Sequence, residues 1–388
     1  MDFALTDADR AVQEASRAFA EEHLAPKARE HDESGTFDRS RVPLMGAAGL
    51  LGGPIGEDVG GAGWTHLQWA LALIELGRVD SSWRGFATVQ TCLCGMLLDR
   101  YGTKGQREEW LPELTSGREV FAYALTEPEA GTDVASLQTV ARPDCDGYLI
   151  SGTKHWITNG GVADKILVFA NADPDAGRAG ITCFLVDGDS RGLERRPVEG
   201  VDLGHRASDH AVLEFDDVRV SSANVVGGYG KGYEVAMGGL LDGRLGVAAG
   251  AVGIQQAAVD ASLSWARERR QFGRRIGDFQ LVQSDLTEMY AALESSRLLT
   301  MKAAYERDQG IDNARSVSVA KWAACEAAVR SADQAVLLHG ARGYSSAWPV
   351  ERLLRDAKGL QIYEGTAHIQ RIIVARDLLG KDEKRERR

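Results

Sequence analysis

The chain has 388 residues, with 45 Lys and Arg against 56 Asp and Glu, a formal net charge of -11 and 44% hydrophobic residues. That length exceeds what one core needs, so two or three packed subdomains are expected, and apolar residues spread along the whole chain argue against disorder. An acidic chain repels phosphate backbones, which disfavours nucleic-acid binding. No basic stretch followed by an apolar one occurs in Met1 to Arg10, so no secretory signal is expected there. Apolar runs such as Gly246 to Ile254 fall short of the ~20 residues of a spanning helix, so no membrane span is expected. Cys92, Cys94, Cys145, Cys183 and Cys325 are scattered, and the one close pair, Cys92 and Cys94, lacks the second pair that a zinc site needs. A reduced, cytoplasmic, metal-free protein is the expectation.

From Thr6 to about Gly117 the pattern is helical. Thr6 with Asp9 resembles a capping box, and Val12, Ala15 and Phe19 follow at helical spacing. A second helix fits Arg41 to Leu50, and the Gly-rich Gly52 to Gly63 reads as a loop. Further helices fit Thr65 to Leu76, Thr88 to Arg100 and Lys104 to Leu114. From Val120 to about Val220 the period shortens. Phe121 to Leu125, Tyr148 to Ile150, Ile166 to Phe169, Ile181 to Val186 and Ala211 to Phe215 are β-rich runs, separated by turns such as Asn159-Gly160-Gly161. Long Ala-rich helices then return, about Tyr233 to Arg269, Phe279 to Asp308 and Asn313 to His339, with shorter ones from Pro349 and Thr366. The predicted fold class is α+β, mainly α: an N-terminal helical domain (1–119), a central barrel-like β-domain (120–228) and a C-terminal helical bundle (229–388). The tail Lys381 to Arg388 is a charge run that reads as a frayed end. Alternating βαβ units are missing, so a Rossmann sheet is not expected. Gly238-Gly239 and Gly250 to Gly253 read as close helix packing. His155 and His205 read as ordinary loop or strand residues, and His339 as a helix-end residue.

Three segments carry possible chemistry. Tyr123 to Asp133 runs from a strand into a turn with Pro128, Ala130 and Gly131 between Thr126 and Thr132. It suits presenting N–H groups and hydroxyls to a polar heterocycle, or it is an acidic surface turn. Gly152 to Gly161 holds Trp156 and Thr158, two apart and so on one strand face; a flat ring could stack there, or Trp156 is a core residue. Gln361 to Gln370 places Glu364 between apolar Ile362-Tyr363 and Gly365, just before a helix. Partial burial would raise its pKa toward general-base work, and the alternative is a Glu favoured by the helix macrodipole.

In this order and spacing the three segments resemble the acyl-CoA dehydrogenase family of flavoproteins. So do Arg269-Arg-Gln-Phe-Gly-Arg-Arg-Ile with Gln280, and Pro349 to Lys358. The resemblance covers nearly the whole chain. It implies an N-terminal helical domain, a central β-domain and a C-terminal four-helix bundle, usually in a homotetramer (or dimer), with FAD between the β-domain and the bundle. Tyr123, Leu125, Thr126, Gly131 and Thr132 would line the flavin ring and nearby substrate. Trp156 and Thr158 would flank the ring, and Thr366 and His368 would face FAD. Arg269, Phe272 and Gln280 would hold the diphosphate and adenosine of a partner subunit's FAD. Thr132, Arg244, Tyr363 and Gly365 would lie on the substrate side. The chain departs from many members at Leu337 and Ala341, where they carry Gln and Gly.

The resemblance further implies that Glu364 removes the α-proton of an acyl thioester while a β-hydride passes to the flavin. The Glu364 N–H and a ribityl hydroxyl would support the carbonyl oxygen. A minority of members place the base just before an Arg on the long bundle helix; here that position is Gly243, before Arg244, which leaves Glu364. Asp80 to Gln90 looks more like glutaryl-CoA dehydrogenase than generic short-chain members, and Arg84 would meet a carboxylate or polar group at the far end of a short acyl chain. Electrons would pass to an electron-transfer flavoprotein. The alternatives are an acyl-carrier-protein thioester as substrate, oxidative decarboxylation of a glutaryl group, or reoxidation by oxygen. A DNA-associated relative would need a basic surface, which the charge of -11 opposes.

Overall fold

The computed structural model describes residues 4–380; the charged tail and the first three residues of the N-terminal stretch lie outside the described residues. The N-terminal part comprises α1 (Asp7–Phe19), α2 (Ala25–Ser34), α3 (Arg41–Ala47), α4 (His66–Val79), α5 (Ser81–Thr88), α6 (Met96–Tyr101) and α7 (Lys104–Thr115). Capping boxes open three of these helices, Thr6 with Asp9, Thr65 with Gln68 and Thr103 with Gln106. In each, the Thr hydroxyl and the side chain three residues on satisfy otherwise orphaned N–H groups.

Helix formation after α4 starts earlier than the sequence pattern suggests. Asp80 is buried and accepts from the N–H groups of Ser82 and Trp83, so α5 begins at Ser81 rather than Thr88. A π-helical stretch, Val89–Gly95, joins it to α6. The cap decides the start here, and it also places Arg84 in the interior.

The central part has β1 (Phe121–Ala124), β2 (Val140–Asp144), β3 (Gly147–Thr158), β4 (Lys165–Asn171), β5 (Ile181–Asp187), β6 (Leu193–Pro197), β7 (His210–Ser221) and β8 (Val225–Val226). They form one sheet in the order β6-β7-β3-β2-β4-β5-β8, with β1 parallel to β4. The register of β3 against β7 shifts between Lys154 and Ile157, and Trp156 sits in that bulge at φ 58°. The plain alternation expected to put Trp156 and Thr158 on one face is therefore interrupted at Trp156.

The C-terminal part has α8 (Gly232–Glu268), a small hairpin of β9 (Arg270–Gln271) and β10 (Arg274–Arg275), α9 (Gln280–Asp308), α10 (Ala314–His339), α11 (Pro349–Leu360) and α12 (Ala367–Leu379). Contrary to the expectation from apolar runs, α8 is long and apolar enough to meet the criterion for a membrane span. Most of that stretch is buried in the protein, including Val247, Ala248, Ala251 and Val252, as in a core helix. Its glycines permit the close packing: a Cβ on Gly253 would reach 2.7 Å from the Arg78 nitrogen, and one on Gly250 would reach 2.5 Å from Arg84 Nε.

Candidate active site

Glu364 lies in the turn between α11 and α12. Its backbone is left-handed, φ 56°, and Gly365 follows at φ 92°. A non-glycine residue costs about 1 kcal/mol or more in that region and persists only where its surroundings fix it. Donors from three helices do so here. Arg244 Nε of α8 donates to the Glu364 carbonyl at 3.1 Å, and Gln370 Nε2 of α12 donates to the carbonyls of Glu364 and Gly365 at 3.3 and 3.0 Å. Lys321 Nζ of α10 reaches the carbonyls of Leu360, Tyr363 and Gly365.

The Glu364 side chain itself has no such support. Its Oε2 is sealed from solvent and accepts no hydrogen bond among the described residues. Its backbone N–H also lacks an acceptor among them. Burial pushes the carboxyl up to about 7, while Lys321, Arg84 and Arg244 pull in the opposite direction. Desolvation outweighs three cations because they act through space and none donates a hydrogen bond to the carboxylate. The carboxylate occupies the space beside Gly243, where an added Cβ would lie 2.8 Å from both Glu364 Cδ and Leu93 Cδ2.

Arg84 is 1% exposed, and its Nε has no partner. Its Nη2 donates to the Tyr363 hydroxyl at 2.6 Å, and longer contacts run to Ser81 and Thr88. No carboxylate pairs with it among the described residues, which is unusual for so buried a guanidinium. The Tyr363 hydroxyl also lies 3.4 Å from His205 Nε2. Burial lowers His205 to about 4, so its ring is neutral and shares this hydrogen bond with the phenol without a charge. His205 is thus no ordinary loop residue: it is buried, left-handed at φ 54°, and packs edge-on against Tyr363.

The loop that carries His205 links this turn to Trp156. Asp202 bonds His210 Nδ1 at 2.6 Å, and the His210 ring lies 6.4 Å from the Trp156 ring. Trp156 is 53% exposed, so it is not the core residue that the sequence left open. Thr126 is tied to the same strand, its carbonyl accepting from the His155 N–H at 2.9 Å. Behind it, the buried Lys154 bonds the Leu125 carbonyl at 3.1 Å and Glu127 at 2.7 Å. Tyr123 and Leu125 are buried, and the Tyr123 hydroxyl donates to the Ala236 carbonyl at 3.2 Å. Gly131 and Thr132 are exposed, and a Cβ on Gly131 would meet open space.

The structure therefore gathers Arg84, Arg244, Tyr363 and Gly365 around Glu364. Tyr123 lies on β1 and Trp156 and Thr158 on β3, while Leu125 and Thr126 follow β1, joined to β3 through the Thr126 carbonyl and the His155 N–H. Thr366 caps α12 through its hydroxyl, and His368 is exposed one residue into that helix. Arg269, Phe272 and Gln280 stand apart at the exposed hairpin and the start of α9, with Phe272 93% exposed. Sequence reasoning missed Lys321, Gln370 and His205. Lys321 had a signal, since it interrupts the apolar face Val317, Ala320, Ala324 and Ala328 of α10 at helical spacing.

Three consecutive stretches match the acyl-CoA dehydrogenase N-terminal, middle and C-terminal domains, over residues 6–118, 122–218 and 230–379. The short-chain specific acyl-CoA dehydrogenase of Clostridium acetobutylicum is 39% identical over 375 residues, covering 97% of this chain and 99% of that protein. Butyryl-CoA dehydrogenase from Megasphaera elsdenii has a similar structure, with a TM-score of 0.95 at 36% identity over 98% of this chain and 100% of that one. Glutaryl-CoA dehydrogenase in its glutaryl-CoA complex gives a TM-score of 0.95 at 34% identity, over 98% of this chain and 97% of that one. The chain belongs to the acyl-CoA dehydrogenase family. It is a flavin oxidoreductase acting on a CH–CH bond, with FAD as its cofactor.

The residues present fit such a group. Trp156 offers half its surface to a flat ring. The N–H groups of Gly131, Thr132 and Asp133 and the hydroxyls of Thr126, Thr132 and Thr158 have no hydrogen-bond partner among the described residues.

Proposed function

We propose that this enzyme desaturates a short acyl thioester between its α- and β-carbons, with Glu364 as the base. The observation that carries the reading is the pairing of two unsatisfied groups on one residue. A buried carboxylate oxygen without a donor and an N–H without an acceptor both belong to Glu364. The N–H supports the thioester carbonyl as charge builds on its oxygen, and the carboxylate takes the α-proton. A carboxyl at about 7 is well matched to that transfer near neutral pH. FAD, held beside Trp156 and Thr158, would supply the acceptor for the hydride that must leave the β-carbon once the α-proton is taken.

Arg84 supplies the second feature. An unpaired guanidinium buried beside the Tyr363 hydroxyl suits a carboxylate or other acceptor at the far end of the acyl chain. Tyr123, Leu125, Thr126, Gly131, Thr132, Trp156, Thr158, Thr366 and His368 hold and flank FAD in this reading. Arg269, Phe272 and Gln280, which stand away from the site, serve the FAD of a neighbouring copy in a homotetramer. Electrons leave to an electron-transfer flavoprotein.

The test is turnover of butyryl and glutaryl thioesters, on CoA and on an acyl carrier protein, with an artificial electron acceptor. Formation of 2,3-enoyl product supports the reading. Purified protein that retains flavin yet desaturates none of them contradicts it.

A further inference from the structure

A buried ammonium needs either a counter-charge or acceptors for all three of its protons. Lys321, 1% exposed on the inner face of α10, has no carboxylate in ion-pair contact among the described residues. Its three protons match three carbonyls instead: Leu360 at 3.3 Å, Tyr363 at 2.8 Å and Gly365 at 2.7 Å. The last two flank Glu364. Arg244 and Gln370 hold the carbonyls of Glu364 and Gly365, but Lys321 alone bonds the residues on both sides of Glu364. It is also attached to a different helix from either.

We infer that Lys321 is the positioning residue of the proposed base: its ammonium clamps the turn on both sides of Glu364, fixing where the carboxylate and the N–H point, and sets a fixed positive charge beside that carboxylate. The inference rests on the base reading above. The left-handed conformation of Glu364 explains the need. A turn with two consecutive residues at positive φ has no helical partners for its carbonyls, so side chains must supply the donors. The use of all three Nζ protons requires the charged form of the lysine. The groups that bear on the Glu364 carboxylate are Arg84 from α5, Cys92 from the π-helical stretch, Tyr123 from β1, Arg244 from α8, Lys321 and Cys325 from α10, and the adjacent Tyr363. Of the three cations, Lys321 exerts the largest downward pull.

The experiment compares Lys321→Met and Lys321→Gln with wild type and Glu364→Gln as flavin-loaded protein. Met removes the charge and all three hydrogen bonds at similar length, whereas Gln removes the charge but keeps two donor protons on a shorter side chain. The Met variant should lose about 100-fold in kcat, the penalty of a misdirected base. Gln should lose less. In both, the acidic limb of the kcat/KM profile should move to higher pH, a change that a purely structural lysine does not produce. Variants that hold flavin with the wild-type rate and midpoint overturn the inference. So does failure of both to fold, which would make Lys321 a folding residue. If Glu364→Gln stays active, the base reading itself fails; if it is inactive while the Lys321 variants match wild type, only this inference does.

Discussion

Glu364→Gln separates the electrostatic cost of the proposed base from its chemistry. Burial pushes the folded carboxyl up to about 7 from the 4.5 of a free glutamate, a difference of about 2.5. The folded protein therefore holds this proton more tightly than the unfolded chain. Stability from this group is fully present below pH 4.5 and is lost as pH rises through 7. At about 1.4 kcal/mol per unit, ionising Glu364 costs the fold about 3 kcal/mol at pH 8 and about 1 kcal/mol at pH 5. Glutamine carries no charge and avoids this cost. The variant should therefore unfold several degrees above wild type at pH 8, with most of that gap closed at pH 5. The assay is paired thermal unfolding of flavin-free protein at the two pH values. A variant that is less stable at pH 8, or a gap that does not change with pH, refutes the claim that burial dominates at this carboxyl.

Other outcomes follow from the same geometry. Gly243→Ala places a methyl against the Glu364 carboxylate and should lower kcat about 100-fold with flavin retained, since a displacement near 1 Å costs that much; an unchanged rate argues that the carboxylate does not work from this position. Arg84→Ala should cut kcat/KM on glutaryl-CoA far more than on butyryl-CoA, and equal losses on both remove the distal-carboxylate assignment. Trp156→Ala should weaken FAD retention on dialysis about 10-fold, the worth of one aromatic stack, with little change in flavin-free stability because the ring is half exposed. Retention equal to wild type would place the ring elsewhere.

Local signals made much of the fold legible. Thr6 with Asp9 forms the capping box that its spacing suggests, and Phe121 to Ala124 and Ile166 to Phe169 lie within paired strands. Glu364 stood out as a carboxylate after apolar Ile362-Tyr363 and Trp156 as a ring two residues from Thr158, whereas Arg84 entered only through the family resemblance. What stayed hidden depends on contacts across long stretches of chain. Lys321 and Gly365 are 44 residues apart, and only packing of α10 against the turn shows that a lysine can end on backbone carbonyls. His205 becomes a partner of Tyr363 only because its loop folds over α11, where its N–H bonds Asp356 at 2.7 Å. The early start of α5 was masked by the serines at 81 and 82, which are indifferent helix formers, and by Asp80, whose capping role appears only once its carboxylate is seen on their N–H groups. The bulge at Trp156 breaks the period of two, which pattern reading assumes throughout a strand.

The central claim is that one carboxylate takes a proton from the carbon beside a thioester. Exchange of that proton with deuterated solvent measures it directly, in flavin-loaded protein and on a thioester whose β-carbon carries no hydrogen, so that oxidation cannot proceed. Wild type should exchange the α-proton, with a rate that rises through a midpoint near 7. Glu364→Gln should bind the same analogue and exchange at least about 100-fold more slowly. Exchange at the wild-type rate in that variant would contradict the account.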